Sequence, residues 1–308
     1  MGKAGIGPIR LEPVYKKAIW AGERLKKIRG LQEDGIGICR EVCAYKGSEN
    51  RVEEGQFKGC RIDQVIADYR RELMGPDDSG QLVRVAYMDT REDLSIQVHP
   101  NEDQAERIGD FEKSESWYIL EADPGAYITA GVNCSDKATL RSAAESGDME
   151  QYLVRIPVKA GDFAMIPAGL VHACGKNMLA LEVGSFGGIT YRLYDYGRGR
   201  PLDLDKGMEI LDPSLRCELV HTQEKVPGVP RPLVRHLLFS ADVLDVEGTW
   251  TLDGYEGYRI LCCVEGACRI IREGEEYPLP YTKTLLVPAS CGPVEIRGNA
   301  RLLIAWKV

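Results

Sequence analysis

From residue 82 onwards the sequence breaks into short apolar runs, each closed off by Gly, Pro or charged turn residues, and this texture constrains the fold more than any other feature. Runs at 82–88, 94–98, 117–120, 152–156, 163–166 and 179–183 read as successive strands, and those at 258–264, 268–271, 285–287 and 302–306 continue the series. Many short strands in a row point to a sandwich, jelly roll or barrel. Helical periodicity shows in two places. Between Gly59 and Gly75 the residues Ile62, Val65, Ile66, Tyr69 and Leu73 recur at helical spacing, and Gly75-Pro76 stops the pattern. Ser135-Asp136 can cap a short helix that runs through Leu140 and Ala144 and ends at Gly147. The fold class expected is therefore mainly β, with a few covering or inserted helices.

The two β regions resemble each other. Trp117-Tyr118-Ile119-Leu120 before Gly125-Ala126 matches Tyr258-Arg259-Ile260-Leu261 before Gly266-Ala267, with Glu115 and Glu256 at the same offset. Ala164-Met165-Ile166-Pro167-Ala168 likewise matches Leu285-Leu286-Val287-Pro288-Ala289. The first copy spans 42 residues from its Gly to its Pro and the second spans 22, a difference that the 135–147 helix and its flanks account for. Between the copies, Val226-Pro227-Gly228-Val229-Pro230-Arg231-Pro232 is too rich in Pro and Gly for an element interior. The expected domains are 1–225, with an N-terminal extension and a helical insert at about 133–149, then a linker at 226–233 and a second β domain at 234–308.

Charge and cysteine usage narrow the class. Lys and Arg number 39 against 47 Asp and Glu, a net charge of −8 that argues against nucleic acid as a partner. No run of about 18 apolar residues is present, so no conventional spanning helix is expected. The first residues lack the apolar stretch of a signal peptide. The ten cysteines form no CxxC pair, and free thiols in a reducing cytoplasm are the simplest expectation.

Four histidines carry the chemistry that the chain can offer: His99, His172, His221 and His236. In Leu94-Ser95-Ile96-Gln97-Val98-His99-Pro100, strand alternation puts Ser95, Gln97 and His99 on one face and the apolar residues on the other. Glu115 stands directly before an apolar strand. His172 closes Gly161-Asp162-Phe163-Ala164-Met165-Ile166-Pro167-Ala168-Gly169-Leu170-Val171-His172, where a strand ends in Pro-Ala-Gly and the chain returns. In a small barrel two such hairpins can point His99, Glu115 and His172 into one interior. Neutral imidazoles with one carboxylate suit zinc, or iron(II), with positions left for water or substrate.

On these residues the chain resembles a known family. The stretch from Gly161 to His172 is similar to the second cupin motif, and Leu94–Asn101 resembles the LSVQVHP segment of the class I mannose-6-phosphate isomerases. Lys113-Ser114-Glu115-Ser116-Trp117-Tyr118-Ile119-Leu120 is similar to their K-T-E-x-W-Y-I segment, and Thr190-Tyr191-Arg192-Leu193-Tyr194-Asp195-Tyr196 to their TYRVYDY. The resemblance implies two cupin-type jelly-roll β-barrels and one zinc per chain held by Gln97, His99, Glu115 and His172. It places Arg192 where the family's active-site arginine lies and Lys113 at a substrate-binding position. The implied reaction is aldose–ketose isomerisation of mannose 6-phosphate to fructose 6-phosphate, with a sugar phosphate as partner and a monomer or homodimer both open. The general base is not identified by the sequence.

Departures from the family surround that set. Gly37-Ile38-Cys39-Arg40-Glu41-Val42-Cys43 stands where the family reads GESWEVS, Ala86 replaces its lysine, and Gly184-Ser185-Phe186-Gly187-Gly188 replaces a polar QQNSD. Arg40 can replace a lost cation or sit in solvent. These changes leave open a cupin enzyme for another sugar, free or phosphorylated, an iron(II) oxygenase, or a non-catalytic sugar-binding protein. The second β domain keeps Glu256 but has no matching histidines, and a purely structural role is expected for it.

Overall fold

The computed structural model describes residues 5–307 and divides into two compact units. One holds residues 15–38 and 88–221; the other holds the segment up to Val14 together with 39–87 and the chain from Thr222 onwards. The chain crosses between them inside the strands Ile36–Val42 and Arg84–Thr90.

This division corrects the expected boundary at residue 225. Residues 5–14 and 39–87 belong with the C-terminal strands, where Ile9 meets Leu286 and Val83 N donates to the Tyr258 hydroxyl 175 residues away in sequence. Ile9 N donates to Leu286 O at 2.7 Å and Leu286 N returns the bond to Ile9 O at 3.0 Å. The helix Ile62–Met74 packs against the short turn Ala289–Cys291. It buries Ile62, Val65, Ile66, Leu73 and Met74, the face that the periodicity predicts. Tyr69 departs from that face: its φ of −132° breaks the helical geometry, and its ring meets Phe57 at 4.9 Å.

The 15–38/88–221 unit is built on two sheets. One runs in the order Val14–Lys17, Ile36–Val42, Arg84–Thr90, Met178–Gly184, Glu115–Ala122, Asp162–Ile166, Leu219–His221. The other runs Tyr191–Tyr194, Ile96–Val98, His172–Cys174, Tyr127–Val132, Leu153–Pro157. Ile96, Val98, Trp117, Ile119, Ile128, Ala130, Ala164 and Ile166 all belong to one buried apolar cluster. The inserted helix is Lys137–Ser146. Asp136 caps it by accepting from Ala138 N and Thr139 N, and Gly147 ends it at a φ of 88°. The expected strands at 94–98, 117–120 and 163–166 are all present within a residue or two of their expected ends.

In the C-terminal part the sheet order is Arg231–Arg235, Ser240–Leu252, Val294–Trp306, Arg259–Arg272, Glu275–Pro280, with Thr284–Val287 also paired to Arg259–Arg272. Two expectations need correcting. The runs at 258–264 and 268–271 are one 14-residue strand, which absorbs a register shift between Cys263 and Glu265 beside Gly266 at a φ of 70°. The expected linker at 226–233 ends in strand, since Arg231–Arg235 pairs with Ser240–Leu252 and carries Pro232 on the sheet edge, where a missing N–H costs nothing. The repeat holds at the level of strand pairing: Trp117 faces Ala164 in one copy and the matching strands pair in the other. The register differs, for Leu285 faces Leu261 rather than Tyr258.

Candidate metal centre

Three elements bring the candidate side chains together. His99 follows the strand Ile96–Val98, Glu115 opens Glu115–Ala122, and His172 opens His172–Cys174. Gln97 is directly opposite His172 in register, and Arg192 is directly opposite Gln97. Directly opposed residues of an antiparallel pair share a sheet face, so Arg192, Gln97 and His172 form one cross-strand row. Glu115 reaches the same interior from the facing sheet.

The ligand atoms converge. His172 Nε2 is 3.1 Å from His99 Nε2, His99 Nε2 is 3.3 Å from Glu115 Oε1, and His172 Nε2 is 3.9 Å from Glu115 Oε2. His99, Glu115 and His172 are 1%, 2% and 0% exposed, so water cannot compensate these groups freely. His221 and His236 take no part. His221 Nδ1 lies 2.7 Å from Asp162 Oδ1, and the ring of His236 packs on Phe239 at 5.2 Å.

The hydrogen bonds fix the tautomers. His99 Nδ1 lies 3.0 Å from Ile189 O and His172 Nδ1 lies 2.8 Å from Leu170 O. A carbonyl only accepts, so each Nδ1 carries the ring proton and each Nε2 presents a lone pair. Two such lone pairs 3.1 Å apart cannot bond each other; they need a cation. Burial drives the His99 pKa down to about 3, with the charge of Lys113 acting in the same direction, and burial also lowers that of His172. Burial acts to raise the pKa of Glu115, but Lys113, His99 and His172 overcome it and hold the carboxyl well below its usual range. Neutral imidazoles and an ionised carboxylate are the protonation states that metal ligation requires. Glu115 Oε1 also lacks a well-directed hydrogen bond although it is buried. The donor set therefore fits a divalent metal, and it is the one such group among the described residues. No counterpart occurs in the C-terminal sheet.

Lys113 stands at this centre. Its Nζ is 2.6 Å from Glu115 Oε1, 2.8 Å from His99 Nε2 and 3.3 Å from Thr190 Oγ1, and here it supplies the positive charge that the acceptors need. Arg192 donates from Nη1 to Pro201 O at 2.8 Å, while its Nε is buried without a partner. Asp195, three residues further on, is taken by Arg200 through Nε at 2.8 Å. Arg40 lies in the other unit and donates to Ser48 Oγ at 2.7 Å. Ala86 is buried within the strand Arg84–Thr90. Sequence reasoning missed the carbonyls of Ile189 and Leu170, since every residue carries one, and the Thr190 hydroxyl, whose position beside Arg192 gave no sign of its contact with Lys113.

Comparison with known proteins agrees with this geometry. A family model described as "Mannose-6-phosphate isomerase, cupin domain" matches residues 233–306, so the C-terminal sheet is a cupin domain. A Bacillus subtilis protein described as a probable mannose-6-phosphate isomerase is 32% identical over 311 residues, covering 97% of this chain and 98% of its own. The mannose-6-phosphate isomerase ManA of the same organism is 30% identical over 310 residues, at the same coverage. The crystal structure of a mannose 6-phosphate isomerase from Bacillus subtilis superposes with a TM-score of 0.85 at 27% identity, covering 97% of this chain and 99% of that one. End-to-end likeness in sequence and in structure, around a buried His-Glu-His set, leaves one assignment: the chain belongs to the mannose-6-phosphate isomerase family, with a mainly β, cupin-type fold.

Proposed function

We propose that this chain is a zinc-dependent aldose–ketose isomerase that interconverts mannose 6-phosphate and fructose 6-phosphate. The observation that carries the metal half of the proposal is the pair of Nε2 lone pairs, 3.1 Å apart and facing an ionised, buried carboxylate. Two of the relatives named above supply the substrate half. Gln97, His99, Glu115 and His172 hold the ion, with Gln97 completing the set from its place opposite His172. When bound, zinc supplies a Lewis acid for the sugar carbonyl.

The protein's own groups do the rest. Arg192 contributes a fixed positive charge from the row that contains Gln97 and His172, and its unpartnered buried Nε gains an acceptor when an oxyanion develops on the substrate. Lys113, a donor-only ammonium beside His99 and Glu115, would hold a substrate oxygen in the same interior. Ten cysteines without a disulfide suit the reducing cytoplasm, and no helix among the described residues is long and apolar enough to cross a membrane.

The test is an isomerisation assay on phosphorylated and free sugars, with metal-stripped and zinc-restored protein. Mannose 6-phosphate is expected to be the preferred sugar, with activity lost on stripping and regained with zinc. Full activity without metal, or turnover of another sugar while mannose 6-phosphate is ignored, would overturn the proposal.

A further inference from the structure

His99 owes its tautomer to a carbonyl delivered by the divergent segment. Ile189 O, which faces His99 Nδ1 at 3.0 Å, follows directly on Gly184-Ser185-Phe186-Gly187-Gly188. This turn is fastened to the residues that precede Lys113. Asp110 Oδ2 accepts from Gly188 N and from Ile189 N, both at 3.1 Å. Gly187 N donates to Glu112 O at 2.9 Å, and Ser185 Oγ donates to the same carbonyl at 2.8 Å. At Gly187 a Cβ would stand 2.3 Å from Phe111 O and 2.7 Å from Glu112 O, so glycine is what lets the turn close down on 110–112.

Two consecutive amides held by one carboxylate oxygen pin the backbone immediately before the Ile189 carbonyl, leaving only the φ and ψ of Ile189 between the pinned peptide and the His99 acceptor. The other imidazole is oriented differently. His172 Nδ1 meets Leu170 O at 2.8 Å within its own turn, and that turn is held by Gly169 N on His99 O at 2.9 Å and Ala168 N on Ser114 Oγ at 3.0 Å. None of those bonds involves Asp110.

We infer that Asp110 is a positioning residue for the metal centre: through the Gly188–Ile189 backbone it holds the carbonyl that keeps His99 in its Nδ1–H form, with Nε2 aimed into the ligand set. Asp110 touches no ligand atom itself. The assignment rests on the metal reading given above, and outer partners of ligating imidazoles typically matter by about 10- to 100-fold in affinity or activity.

The experiment compares wild type with Asp110→Ala and Asp110→Asn in the full chain. The first readout is the pair of downfield imidazole Nδ1–H resonances of the metal-free protein, and the second is zinc affinity by chelator competition. Asp110→Ala is expected to broaden or abolish the His99 resonance, to leave that of His172 in place, and to weaken zinc by about 10- to 100-fold. Asp110→Asn, whose amide oxygen can still accept both N–H groups, is expected to restore both readouts. Should Asp110→Ala fail to fold, Asp110→Ser, too short to reach both amides, provides the same contrast with Asp110→Asn. Unchanged His99 resonance and zinc affinity in Asp110→Ala would overturn the inference. So would equal loss of both imidazole resonances, which would mark a general structural role. A wild-type chain that takes up no zinc would refute the metal reading instead, and the resonance comparison, which needs no metal, would still decide the role of Asp110.

Discussion

Acid should destabilise the metal-free protein through its own ligand set, by an amount that the structure sets. His99 has an ordinary pKa of 6.5 and is pushed down to about 3 by burial and by Lys113. Between those values the unfolded chain binds a proton at this position and the folded chain does not. Stability is therefore complete above about 6.5 and falls by roughly 1.4 kcal/mol for each pH unit towards 3. At about pH 5 the loss from His99 alone is ~2 kcal/mol. Buried His172 is shifted in the same direction and adds to it. Glu115, held well below its ordinary 4.5, removes further stability once the pH drops through the range in which the unfolded carboxyl protonates. All three act with one sign. Urea denaturation of chelator-treated protein at about pH 7.5 and about pH 5 measures the difference. Trp117, whose ring packs on His172 at 5.6 Å, is a local fluorescent reporter. His99→Gln should be less sensitive to acid by ~2 kcal/mol over that interval. Equal stability of the wild type at the two pH values, or an undiminished acid loss in His99→Gln, would show that these imidazoles are not held neutral by burial.

Three further outcomes follow from single contacts. Arg192→Ala should keep its zinc content and lose kcat by on the order of 10² to 10³, with little recovery in Arg192→Lys, and a near-normal kcat would reassign the residue to structure. Arg301→Met should cost roughly 3–5 kcal/mol in chemical denaturation, because buried Asp245 loses bonds of 2.6 and 3.0 Å and the carbonyls of Thr222 and Glu224 lose their donor; a loss under about 1 kcal/mol would refute this. Asp136→Ala removes the acceptor for Ala138 N and Thr139 N and should lower the melting temperature; an unchanged melting temperature would refute the cap.

What could be read from sequence was what local physics fixes. The inserted helix is bounded as its cap and its glycine require, because Asp136 and Gly147 act on backbone groups within four residues of themselves. Strands such as Glu115–Ala122 were legible because one continuous apolar run, Trp117–Leu120, fills the buried middle of the strand. The unit boundary was not legible, because Ile9 finds Leu286 across almost the whole chain and nothing in either neighbourhood advertises the other. Pro232 misled for a related reason: its residue type forbids a central strand but permits an edge, and edge position is a property of the sheet.

The candidate site divides along the same line. His99, Glu115 and His172 could be proposed together because each is a polar residue where a buried strand begins or ends, a position where an unpaired group would be costly. Their joint geometry needed both sheets, since Glu115 belongs to one and His172 to the other. What makes the set a ligand set, rather than three buried polar residues, is the direction of two imidazole protons. Those directions depend on backbone carbonyls at Leu170 and Ile189, chemically identical to every other carbonyl in the chain. The second of these follows the turn at 184–188, one of the segments that read differently from the family's in sequence. Divergence there can thus alter how His99 presents its lone pair while every ligand remains in place, so an intact ligand list and an altered metal affinity are compatible in this chain.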